Sequence, residues 1–167
     1  MILKRLAPFG LFALAACVSQ TTPPPPPPTQ KPPERPTPPP PPPPSNWMDA
    51  PRTPGDWSYQ QDRATYGRPG GAPLFTLACE RQAGRITLAR AGSAPSRVGM
   101  RILTETTSRT LDATPSGANL SAALPVRDPL LDAMAFSKGR FAVETSGLPT
   151  LYLPSWIEVS RVIEDCR

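Results

Sequence analysis

The chain contains no histidine at all. This absence excludes a Ser-His-Asp triad, a Cys-His catalytic pair, a histidine proton shuttle and any metal site that depends on imidazole. Lysine is nearly as scarce in residues 46–167, which carry 13 arginines and 12 acidic residues but only one lysine, Lys138. The charges of this region are interspersed, with a net of +2 and no basic stripe. Nucleic acid is therefore not expected as a partner.

The chain also lacks an apolar run long enough for a membrane-spanning helix, which needs about 20 residues. An apolar run of about 13 residues lies near the N-terminus, interrupted only by Pro8 and Gly10. It follows Lys4 and Arg5 and reaches two small residues just before a cysteine. This order is typical of a secretory signal peptide, which we predict over residues 1–16.

The end of this segment, Leu14-Ala15-Ala16-Cys17, resembles the lipoprotein box of bacteria. In that family a diacylglycerol joins the cysteine thiol and the chain is cut just before it, so the resemblance implies lipidation at Cys17. Two or more acyl chains make a lasting membrane anchor, since each buried CH₂ contributes about 0.8 kcal/mol. The alternative is an ordinary secretory signal cut after Ala16. Aspartate after the cysteine retains such lipoproteins at the inner membrane. Val18 stands there instead, so we expect a cell-envelope location at the periplasmic face of the outer membrane.

Proline is concentrated rather than scarce: 16 of the 27 prolines lie between Thr21 and Pro44. Such runs have few backbone donors and fixed φ angles, so residues 17–45 are predicted to be disordered or polyproline II. At about 3.1 Å per residue, the 24 residues from Thr21 to Pro44 span about 75 Å if straight. We interpret residues 17–45 as a lipid-anchored tether for one globular domain over residues 46–167. The alternatives are a docking strand for an aromatic groove or a segment that threads the peptidoglycan mesh.

Only three cysteines are present, and two of them, Cys79 and Cys166, belong to the predicted domain. Two thiols alone do not make a metal site, and in an oxidising periplasm they favour a disulfide. Closing a loop of this length stabilises a fold by about 4.5 kcal/mol in the chain-entropy model. Two separate buried thiols are the alternative.

Alternating apolar residues and turn signals predict a mainly β domain, a small antiparallel β-sandwich or half-barrel with two short helices. Residues 60–71 are predicted to be a loop, with a turn at Pro69-Gly70-Gly71. The predicted strands cover residues 56–59, 72–79, 85–90, 98–106, 108–113, 120–126, 140–145 and 148–153.

The first helix is predicted to begin with Asp128 as N-cap and Pro129 in its first position, and to stop at Gly139. The second is predicted to open at Pro154. Its spacing places four residues on one stripe facing the sheet that holds Cys79: Trp156, Val159, Ile163 and Cys166.

Aromatic residues offer the only candidate ligand site. Trp57, Tyr59 and Trp156 are candidates to line a groove, although such residues more often form core. Asp128 and Asp132 are one helical turn apart, but a cap and a first-turn acid explain them without catalysis. We predict no catalytic residue, no metal and no cofactor.

As a layout, the domain resembles proline-rich lipoproteins of alphaproteobacteria of the sphingomonad type. The segments that carry this resemblance are 55–59, 74–79, 128–143 and 161–167. More distantly, the layout is similar to the invasion-associated locus B family and to periplasmic accessory proteins of type VI secretion, which implies a small β-sandwich. None of these groups supplies a catalytic residue. We therefore expect a non-enzymatic envelope module that binds an envelope protein or peptidoglycan. The alternative is a lysozyme-inhibitor-like protein that blocks a cell-wall hydrolase.

Overall fold

The computed structural model describes residues 46–167. The predicted signal peptide, the tether and Cys17 lie outside the described residues. The described part contains nine strands joined in one antiparallel sheet in the order β1-β2-β3-β4-β7-β6-β5-β8-β9. The strands are β1 Asp56–Gln60, β2 Arg63–Gly67, β3 Phe75–Glu80, β4 Arg85–Ala91, β5 Val98–Leu103, β6 Ser108–Ser116, β7 Asn119–Pro125, β8 Arg140–Thr145 and β9 Leu151–Pro154. The mainly β, antiparallel class predicted from the sequence is confirmed.

The sheet curls until its two ends lie near each other. Thr53, just before β1, donates its N–H to the carbonyl of Tyr152 in β9 at 3.0 Å, and its hydroxyl accepts the N–H of Tyr152 at 2.8 Å. The indole N–H of Trp57 in β1 donates to the carbonyl of Pro154 at 2.8 Å. β9 is the last strand of the sheet, and the chain that leads into β1 covers its outer edge. This cover protects the edge of β9 from pairing with another chain.

One core fills the inside of the curl. Inward-facing residues alternate along the strands, as in β4, where Ile86 and Leu88 are fully buried. The rings of Phe75 in β3 and Phe141 in β8 meet edge to face with centroids 6.2 Å apart, although their strands stand far apart in the sheet order. This contact shows that the two halves of the sheet share one hydrophobic interior.

The strand β2 corrects the prediction of a loop over residues 60–71. Residues Arg63–Gly67 pair with β1, residues 63–66 pair also with β3, and Ala64 and Tyr66 are fully buried. A two-residue turn joins β1 to β2, with Gln61 and Asp62 at φ angles of 48° and 60°. Two positive φ angles are the signature of a type I′ hairpin turn, which asparagine and glycine usually provide. Their absence here explains why the sequence did not predict the hairpin.

Two α-helices, α1 Pro129–Ala135 and α2 Ile157–Asp165, and two single-turn 3₁₀ helices, Trp47–Asp49 and Arg81–Ala83, complete the described fold. Asp128 caps α1 as predicted, because its side chain accepts the N–H of Leu130 at 2.9 Å. The prediction that this helix stops at Gly139 is wrong, because α1 ends at Ala135 with Phe136 as its C-cap, and the φ of 77° at Gly139 belongs to the turn before β8. The predicted stripe of α2 is wrong at its first residue, since Trp156 is the N-cap and is 40% exposed.

A disulfide joins α2 to the sheet, as predicted. Cys166, which follows α2, is bonded to Cys79 in β3, with the two Cα atoms 5.6 Å apart. The buried residues of α2 pack over β1, β2 and β3, so the bond fastens a helix that already lies on the sheet. No helix within residues 46–167 is long and apolar enough to cross a membrane.

Candidate ligand-binding site

The three aromatic residues predicted to line a groove do not do so together. Trp57 is only 7% exposed, and its ring lies 5.2 Å from that of Tyr66 and 6.5 Å from that of Phe75. Its polar N–H is satisfied by Pro154. Trp57 is therefore mainly a core residue, although it also belongs to the lining of a surface cavity described below, and its contact with a ligand stays a prediction.

Tyr59 and Trp156 lie in separate places, each beside an arginine. The Tyr59 hydroxyl donates to a carboxylate oxygen of Asp165 at 2.6 Å, and the guanidinium of Arg161 lies 4.3 Å from the ring centroid. The bond to Asp165 is the main reason that the pKa of Tyr59 is raised above its ordinary value. Trp156 stands at the surface with the guanidinium of Arg52 5.1 Å from its ring. Tyr59 thus fixes α2 to β1 while it stays partly exposed, and Trp156 is 40% exposed.

A cavity of about 290 Å³ lies at the outer face of the β1–β2 hairpin. Side chains that alternate outward along the two strands form its floor, and the loop that follows β2 forms its wall. The polar and charged residues around it are Asp56, Ser58, Thr65 and Arg68.

Turn chemistry fixes the wall of this cavity. The N–H of Gly71 donates to the carbonyl of Arg68 at 2.9 Å, and Gly70 has a φ of 72°. Proline followed by a glycine with positive φ is the arrangement of a type II turn. The turn signal in Pro69-Gly70-Gly71 is thereby confirmed.

A close backbone approach fixes the floor. Gly55 has a φ of 149°, and a Cβ built there would lie 2.9 Å from the carbonyl oxygen of Gly67. Only glycine permits this approach between the start of β1 and the end of β2. It sets the position of Asp56, the next residue, against the loop that carries Arg68.

The cavity holds one anionic and one cationic side chain together with two hydroxyl groups. Asp56 and Arg68 are both exposed, and neither joins an ion pair with another residue of the described range. The hydroxyl oxygens of Ser58 and Thr65 lie 2.7 Å apart in a hydrogen bond. The opposite charges therefore remain available to a ligand that carries both signs.

A second cavity of about 350 Å³ adjoins the first. Arg68 and Gly71 line both, so the loop separates two neighbouring depressions. The second is more apolar, with Pro54, Ala72 and Leu74 in its lining. We name the two cavities together the Arg68 groove. Sequence reasoning missed it, because the strand β2 that forms half of its floor was not predicted.

Three exposed apolar side chains occupy a different part of the surface. Phe136 is 74% exposed at the end of α1, and Ile157 is 75% exposed at the start of α2. The N–H of Ser155 donates to the carbonyl of Gly139 at 3.3 Å, which brings the end of α1 to the start of α2. Phe136, Trp156 and Ile157 therefore share one end of the helix pair, which we call the helix-end surface.

Arg90 is a buried cation in β4, on the same face of the strand as Ile86 and Leu88. It is only 5% exposed, and its guanidinium donates to the carbonyls of Ala91 and Pro149, the latter at 3.0 Å. Burial lowers its pKa. Because Arg90 holds the loop before β9 through the carbonyl of Pro149, we assign it a structural role.

Within residues 46–167, no group of three or more cysteine, aspartate or glutamate side chains is placed to hold a metal ion. No protein-family model, curated protein or solved structure matches this chain. The resemblance to proline-rich alphaproteobacterial lipoproteins accordingly stays a prediction from the sequence.

Proposed function

We propose that the protein is a lipid-anchored, non-enzymatic binding module of the bacterial cell envelope. Its anchor is Cys17, and its domain acts at the periplasmic face of the outer membrane. The observation that carries this proposal is the Cys79–Cys166 disulfide, because such bonds persist in oxidising compartments such as the periplasm. The signal-like segment that ends at Cys17 supports the same location.

Peptidoglycan is the ligand that we propose for the module. It is the polymer that a domain on a tether of up to about 75 Å meets in the periplasm. The Arg68 groove offers opposite charges, hydroxyl groups and an apolar extension, a combination suited to a polar peptide. We propose no catalytic residue in this groove.

A second candidate function is inhibition of a cell-wall hydrolase. The helix-end surface favours it, since two large apolar side chains, Phe136 and Ile157, are about three-quarters exposed there. Exposed apolar side chains gathered at one place mark contact sites for other proteins. With this function, the module would bind and inhibit a hydrolase that cuts peptidoglycan and would not bind peptidoglycan itself.

Co-sedimentation with purified peptidoglycan sacculi tests the proposal. The mature chain, residues 17–167 with Cys17→Ser to keep it soluble, is expected to sediment with sacculi and to leave lysozyme activity unchanged. If it inhibits lysozyme instead, and if Phe136→Ser with Ile157→Ser abolishes that inhibition, the inhibitor function is correct. If the protein does not sediment with sacculi even at a concentration 100-fold above that of the wall fragments, peptidoglycan is not the ligand.

A further inference from the structure

We propose that the Arg68 groove recognises the free end of diaminopimelate in the stem peptides of peptidoglycan. This inference rests on the proposed function and names the chemical group that the module binds. Diaminopimelate ends in a carbon that bears both an ammonium and a carboxylate group. The groove is matched to such a zwitterion by Asp56 and Arg68, which line one cavity with opposite charges.

Each charged side chain has a defined partner in the ligand. The guanidinium of Arg68 presents parallel N–H donors, which fit the two oxygens of a carboxylate. The carboxylate of Asp56 accepts hydrogen bonds from the ammonium group. The paired hydroxyls of Ser58 and Thr65 lie on the same floor and supply further donors and acceptors.

The lining of the groove favours a peptide over a sugar. Trp57 and Tyr66 also line the cavity, but they are only 7% and 0% exposed, so little of either ring is open to a sugar. A cavity of about 290 Å³ is near the lower limit of ligand pockets, which suits the end of one amino acid. The adjoining cavity, lined by Pro54 and Leu74, extends the groove for the rest of the stem peptide.

Two local features constrain the backbone of the groove without a ligand. The Pro69-Gly70 turn and the contact of Gly55 with Gly67 fix the loop and the floor. A groove of this kind loses little conformational entropy on binding, which favours affinity for a small ligand.

Calorimetric titration of the mature chain with two muropeptides tests the inference. One is a disaccharide tripeptide with meso-diaminopimelate in the third position, and the other is the same molecule with L-lysine there. The lysine form keeps the ammonium but lacks the carboxylate beside it. We expect the diaminopimelate form to bind at least tenfold more tightly, because a charge-assisted pair with Arg68 is lost in the other form.

Charge-removing variants locate the site. Arg68→Gln and Asp56→Asn are each expected to weaken binding of the diaminopimelate form at least tenfold. The matched controls are Arg127→Gln and Asp112→Asn, which remove the same charges from exposed positions outside the groove and are expected to leave affinity within twofold. Unfolding midpoints equal to that of the unmodified chain show that a loss of binding is not a loss of folding.

The outcomes separate the inference from the proposed function. Sedimentation with sacculi that survives Arg68→Gln and Asp56→Asn would overturn the inference and leave peptidoglycan binding in place. Equal affinity for the two muropeptides would also overturn it. If the unmodified chain binds neither sacculi nor muropeptides, peptidoglycan binding itself fails.

Discussion

Removing the disulfide is expected to lower the stability of the domain by about 4.5 kcal/mol. The perturbation is Cys79→Ala with Cys166→Ala in the mature chain that already carries Cys17→Ser. The bond closes a loop between residues separated by 87 positions. In the chain-entropy model, a loop of this length removes about 15 cal/mol/K of entropy from the unfolded chain, or about 4.5 kcal/mol at 25 °C.

The folded state is expected to keep its shape without the bond. Val159, Val162 and Ile163 of α2 remain buried, and two polar contacts, Tyr59 with Asp165 and Arg167 with Asp132, still hold the ends of the helices. The loss therefore acts mainly through the unfolded state. Circular dichroism in buffer should be unchanged.

Guanidinium chloride unfolding of the two proteins measures the difference. With an m-value of about 4 kcal/mol per molar for a domain of this size, the midpoint should fall by about 1 M. Adding a reductant to the protein with both cysteines should lower its midpoint to that of the alanine variant. If the midpoints with and without the bond agree within error, the reasoning from loop closure is refuted.

Three further predictions concern the groove, the acid response and the core. Gly55→Ala should lower the free energy of unfolding by about 3 kcal/mol, because its φ is 149° and its Cβ would also meet a backbone oxygen. Gly70→Ala has a positive φ but open space around it, so it should lower that free energy by only about 1 kcal/mol. Equal losses in chemical unfolding would contradict this. The hydrogen bond from Thr87, and to a smaller extent that from Arg85, holds the pKa of Glu80 below its ordinary value of 4.5. The ionised Glu80 therefore contributes to the stability of the fold above pH 4.5, and this contribution is lost as the pH falls through the lowered pKa. Glu80→Gln should therefore make the free energy of unfolding depend less on pH below pH 4.5. An unchanged pH dependence would be evidence against this role of Glu80. Phe141→Ala should lower the free energy of unfolding, measured by calorimetry, by about 3–5 kcal/mol. A loss under about 1 kcal/mol would show that the two halves of the sheet do not share a core.

Local patterns in the sequence predicted most of the sheet. The alternation in β4 and the turn residues on either side of it set its bounds, and the Asp128-Pro129 pair located the start of α1. These patterns predict the elements correctly because strand alternation and helix capping depend only on residues that are close in the sequence. The disulfide also followed from the sequence, since only two cysteines lie in the domain.

Features that depend on distant parts of the chain were not predictable in this way. The turn at Gln61-Asp62 carries no glycine or asparagine, so β2 was missed, and the floor of the Arg68 groove was missed with it. Trp57 could not be assigned to the core until its partner Pro154 in β9 was known. The position of Asp56 beside Arg68 likewise depends on the pairing of two strands rather than on spacing.

Fatty-acid labelling of cells that express the full chain tests the central claim most directly. We predict that a clickable fatty acid labels the protein, that Cys17→Ser removes the label, and that mass spectrometry places the mature N-terminus at residue 17. An unlabelled protein that is soluble after fractionation and begins at another residue would contradict the account.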